Sequence, residues 1–138
     1  MTFEEFHELV PEGLHDAALK SLFHDYEKAT VTIVADIYSG LIDETKPDAD
    51  RIREGRLTFE GVRFCMIETP SGEPLIFSPG TESILSFEKS TAEDLPQRWK
   101  DSLNPDTPCY SISIHRWFSH IHIAAANIQF EWTTPTKA

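Results

Sequence analysis

Two histidines stand one residue apart, His120 and His122, in the alternating run Ser119-His120-Ile121-His122-Ile123, shortly after a second alternating run, Ser111-Ile112-Ser113-Ile114-His115. Alternation puts residues i and i+2 on one face of a strand, so the two imidazoles project together while Ile121 and Ile123 enter the core. If segments 109–116 and 120–125 pair as a hairpin, matching their apolar faces requires paired residue numbers with an odd sum. Short loops leave sums of 237 and 235, which set His115 opposite His122 or opposite His120. The remaining imidazole is then a diagonal neighbour at roughly 7–8 Å. Three imidazoles with an open fourth position form a catalytic-zinc arrangement, in which the metal lowers the pKa of its water to about 7. His115, His120 and His122 are therefore the metal-ligand candidates. The competing reading is that alternation produces His-x-His by chance on a half-exposed face. The connection Arg116-Trp117-Phe118-Ser119 also lacks the Gly or Asn that tight hairpin turns prefer.

Two His-Asp dipeptides, His15-Asp16 and His24-Asp25, are candidates for groups that orient such ligands. The bland reading is a turn in which Asp16 meets nearby backbone N–H groups. Helical HD phosphohydrolases also use His-Asp pairs, but they need an all-helical scaffold that these surroundings do not offer. Ser111, Ser113 and Ser119 lack the Gly-x-Ser-x-Gly elbow of a nucleophilic serine. Cys65 and Cys109 fall in expected strands without C-x-x-C spacing, which reads as two reduced, buried thiols. The strand-borne His-x-His also occurs in cupins, but Ala124-Ala125-Ala126 stands where their pattern continues. Trp99 and Trp132 lie on apolar stripes, whereas Trp117-Phe118 is an aromatic pair at a loop tip and a candidate partner contact.

The 138 residues carry a formal net charge of -11, and residues 1–19 hold Glu4, Glu5, Glu8, Glu12 and Asp16 without any Lys or Arg. Such a field repels nucleic acid and anionic lipid, so no nucleic acid and no membrane partner is expected, and it favours a basic protein partner. The alternative is that excess acid only maintains solubility. No stretch approaches a membrane span, and the start of the chain lacks the basic and apolar regions of a signal peptide, so a cytoplasmic setting is expected.

The elements that must position these residues read as one α+β domain over 1–138. Its core is a predominantly antiparallel sheet, a sandwich or a strongly bent sheet, with a short N-terminal helix and a short helix near residues 94–103. Thr2 and Glu5 have capping-box spacing ahead of Phe3, Phe6 and Val10, and Pro11-Glu12-Gly13 stops that helix. Strands are expected over 18–25, with Leu19 and Phe23 on one face, and over 30–38, joined as a hairpin. Residues 39–55 read as an exposed loop. Leu57 and Phe59 share one parity and Val62, Phe64 and Met66 the other, predicting a bulge or bend near Gly61. Turns at Pro70-Ser71-Gly72 and Pro79-Gly80 flank short strands at 75–77 and 83–88. Asp94 or Thr91 caps a helix whose stripe is Leu95, Trp99 and Leu103. Strands 109–116, 120–125 and 128–132 close the chain, with a second bend at Ala126-Asn127.

The motifs Leu14-His15-Asp16-Ala17 and Ile121-His122-Ile123-Ala124-Ala125, joined by Leu57-Thr58-Phe59-Glu60-Gly61-Val62, resemble those of an uncharacterised family of small bacterial proteins. The likeness spans residues 14–132 and implies no activity. In layout the chain is distantly similar to immunity proteins that neutralise toxins, which implies a compact acidic inhibitor. Three functions follow as expectations. A non-enzymatic acidic binding module without a cofactor leads, a metal-dependent hydrolase built on the histidine cluster, with Asp16 or Asp25 as base and zinc as the metal, is the alternative, and a homo-oligomer pairing exposed strand edges is the third.

Overall fold

The computed structural model describes residues 1–38, 52–68, 82–95, 97–115 and 119–133. The elements are α1 (Phe3–Leu9), β1 (Ala18–Asp25), β2 (Thr30–Tyr38), β3 (Ile52–Glu60), β4 (Phe64–Ile67) and β5 (Glu82–Thr91). A 3-10 turn (Ala92–Asp94), the one-turn helix α2 (Gln97–Lys100), β6 (Pro108–Ile114), β7 (Ser119–Ala124) and β8 (Asn127–Trp132) follow. The expected turns near residues 71 and 79, the strand at 75–77 and the Trp117-Phe118 pair lie outside the described residues.

The strands form one sheet of order β4-β7-β6-β5-β1-β2-β3-β8, and each described pairing is antiparallel. Among the described residues, only Ala18 and Leu19 of β1 pair with β5, opposite Ser83 and Glu82, so the sheet has two four-stranded halves. These halves face each other. In a flat sheet β3 and β6 would lie about four strand spacings, roughly 19 Å, apart. The rings of Phe59 on β3 and Tyr110 on β6 are instead 5.3 Å apart. The fully buried Ile33, Ile37, Leu57 and Phe59 of one half and Ile112, Ile114, Ile121 and Ile123 of the other fill the space between. α1 packs on this core through Phe6, whose ring meets Phe87 of β5 at 5.6 Å and Phe130 of β8 at 5.4 Å. Its capping box forms as read, with Thr2 Oγ1 accepting from the Glu5 amide and Glu5 Oε2 accepting from the Thr2 amide.

Two segments cross between the halves. Glu60 pairs with Asn127 in one, and Phe64 pairs with Ala124 in the other. Three residues separate Glu60 from Phe64 and two separate Ala124 from Asn127, so the ladders are offset by one residue at both expected bends. Gly61 takes a φ of +63°, a conformation that glycine adopts without strain. The facing beyond it differs from the parity reading. Cys65, opposite Ile123, points to the main core, and Phe64 packs on the other face. That face is itself covered: Ala92, Leu95, Cys109 and Ala124 form a second small core with Phe64, Trp99 and Leu103 packed on it.

Three further corrections have local causes. A bulge between Leu19 and Ser21 rotates the end of β1, so Leu22 packs inward and Phe23 is 64% exposed. Residues 52–55, read as loop, extend β3 and pair with Tyr38 through Ala35. The helix near 94–103 is broken, because Leu95 precedes a proline and is extended at φ -80°, ψ 155°. Its stripe of Leu95, Trp99 and Leu103 nevertheless packs together.

Candidate functional site

On the outer face of the β4-β7-β6 end, the β6–β7 register sets Ser113 opposite His120 and Ser111 opposite His122. Paired numbers therefore sum to 233, neither 235 nor 237. His115 falls just beyond β6, where its backbone N–H donates to the Ser83 carbonyl at 3.0 Å. Its ring is exposed and joins no ligand cluster among the described residues. The third member comes from the other neighbour of β7. Edge strand β4 sets Met66 opposite His122, and the Glu68 N–H just past its end donates to the His120 carbonyl at 3.0 Å.

Glu68, His120 and His122 thus each offer a ligand atom, all within 4.8 Å of one another. His120 and His122 stack with ring centroids 5.6 Å apart and planes 28° from parallel. Glu68 Oε1 accepts from His122 Nε2, and Glu68 Oε2 lies 3.9 Å from His120 Nδ1. The second nitrogen of His122, Nδ1, is 3.2 Å from Ser111 Oγ. One side is walled by the second core, where the Trp99 ring lies 6.2 Å from that of His122. Exposure is graded: the His122 side chain is 15% exposed, Glu68 35% and His120 46%. Burial pushes the Glu68 carboxyl up, but the hydrogen bond from His122, attraction to either imidazole in its protonated form and the His120 N–H outweigh it and hold the group below the ordinary glutamate value.

The donor set fits a divalent ion of the zinc type. Two imidazoles and one carboxylate are a known zinc ligand set with an open fourth position. Tetrahedral coordination at about 2.0–2.2 Å separates ligands by roughly 3.3 Å, and the ligand atoms here all lie within 4.8 Å of one another.

The His-Asp dipeptides lie elsewhere. His15 Nδ1 donates to the Leu85 carbonyl at 2.8 Å, and its Nε2 is 3.4 Å from Asp16 Oδ2, with both side chains largely exposed. Asp16 has a φ of +62° and its N–H donates to the Ile84 carbonyl, which places this pair in the turn that leads from α1 into β1 and ties that turn to β5. The His24 and Tyr26 rings lie tilted against each other, centroids 4.2 Å apart, and Asp25 Oδ1 accepts from the Lys28 N–H in the β1–β2 turn. Neither dipeptide touches the imidazole pair among the described residues.

Glu68 is the residue that sequence reading missed. Its signal was present in the Phe64, Met66, Glu68 parity, but nothing in a single sequence pairs β4 with a strand more than fifty residues away. Comparison with known proteins found no matching family model, no matching curated protein and no matching solved structure.

Proposed function

We propose that this chain is a divalent-metal protein of the zinc-hydrolase class, with Glu68, His120 and His122 as ligands. The convergence of a carboxylate and two imidazoles on one sheet face, with neither Lys nor Arg paired to that carboxylate among the described residues, carries the reading. A net charge of -11 favours a cation anywhere near this surface. Zinc held by three protein groups supplies a water of lowered pKa at its open position. The chain's own contribution is to fix the ligands on adjacent strands and to shield one side with Trp99. Elemental analysis of untagged protein, purified without chelator, tests the assignment. Zinc at about one ion per chain, lost on His122→Ala, is the expected result; protein free of zinc that acquires none on dialysis against it contradicts the proposal.

A second reading rests on a different surface. Glu4, Glu5 and Glu8 of α1 are exposed, and none forms an ion pair with Lys or Arg among the described residues. This acidic face supports a binding module for a basic protein. Affinity for such a partner should fall steeply between low and physiological salt, because charge steering is screened over about 8 Å. A complex that was insensitive to salt would argue against it.

A further inference from the structure

His122 faces two hydrogen-bonding groups of different character. The Glu68 carboxylate only accepts, so the nitrogen facing it, Nε2, carries a proton when the site holds no metal. In the neutral ring Nδ1 is then bare and accepts from the Ser111 hydroxyl, 3.2 Å away. For Nε2 to bind a metal it must give up that proton, and a neutral ring must then carry one on Nδ1. A hydroxyl both donates and accepts, so the same oxygen can receive the Nδ1–H that metal binding creates. Ser111 Oγ thus has a hydrogen bond to offer in either state. Among the described residues, Ser113, opposite His120, makes no such bond to that ring.

We infer that Ser111 is a positioning residue, a hydroxyl rotor that donates to His122 Nδ1 in the metal-free site and accepts from it once Nε2 is a ligand. This rests on the metal reading above. A proton leaves Nε2 and one is taken up at Nδ1, so the net charge of the ring is unchanged while a divalent ion replaces the Nε2–H contact with Glu68. Fixing a ligand's second nitrogen orients the ring and selects its tautomer.

The test combines calorimetric zinc titration with imidazole nitrogen NMR of 15N-labelled wild type, Ser111→Ala, Ser111→Thr and Ser113→Ala. The wild type should show His122 protonated at Nε2 without zinc and at Nδ1 with it. Ser111→Ala should lose zinc affinity by about 10- to 100-fold, the usual cost of removing such a support. Ser111→Thr, which restores the hydroxyl, and Ser113→Ala should both stay within about threefold of wild type. Wild-type zinc affinity in Ser111→Ala, or a zinc-loaded His122 still protonated at Nε2, overturns the role of Ser111 and leaves the metal reading intact. A wild type that binds no zinc overturns both.

Discussion

The outer faces of the two half-sheets handle charge in opposite ways. On the β1-β2-β3-β8 half, acids meet fixed cations. Lys20 Nζ lies 2.6 Å from Glu54 Oε1 and 3.8 Å from Asp36 Oδ1, and Arg56 meets Glu131 at 2.9 Å. These pairs are exposed, and such pairs contribute little to stability. On the β4-β7-β6 half, Glu68 faces two imidazoles beside a small apolar core. A Lys or Arg side chain neutralises a carboxylate permanently, whereas a neutral imidazole has a lone pair that it can share with a metal. The first face is a surface of paired charges, and the second gathers groups that could share lone pairs with a metal.

Substitutions can break this contrast, beginning where the halves depend on each other. Phe59→Ala removes the fully buried ring that bridges β3 to Phe87 and Tyr110. Unfolding by urea should show a loss of about 3–5 kcal/mol. Gly55→Ala tests the first half alone. A Cβ there would lie 2.7 Å from the Phe130 ring and 3.0 Å from Ile37 Cδ1, so a loss of about 1–3 kcal/mol is expected with zinc affinity unchanged. A parallel loss of zinc affinity would show that the halves are not separable.

The pH response sharpens the second half. Because folding lowers the Glu68 pKa, its stabilising effect is complete above the ordinary glutamate value, near 4.3 in model peptides, and disappears as pH falls through the lower folded value. Metal-free wild type should therefore be more stable than Glu68→Gln at pH 7, and their urea midpoints should converge toward pH 3. Midpoints that differ equally at both pH values would mean that the effect of Glu68 is not electrostatic.

Much of this architecture was legible in the sequence because alternation and turn chemistry are local. The capping box, the β2 strand, the bends at Gly61 and Ala126 and the shared facing of His120 and His122 all followed from residues within a few positions of one another. The misreadings came from long-range facts. The β6–β7 register, which no glycine or asparagine in the connecting sequence marks, leaves His115 outside the cluster. Phe64 packs on the outer face with Ala92, Leu95, Trp99 and Leu103, and Glu68 joins the imidazole pair through a pairing between distant strands. The bulge at Lys20 reversed Phe23 because no glycine or proline marked it.

Calorimetric titration of untagged protein with zinc, comparing wild type with Glu68→Gln, His122→Ala and His115→Ala, tests the ligand set most directly. One ion per chain is expected, with affinity reduced more than about 100-fold by the first two substitutions and unchanged by the third, since loss of a direct ligand should exceed the effect of losing its support. Absence of binding by the wild type, or a loss in His115→Ala as large as that in His122→Ala, would contradict the assignment.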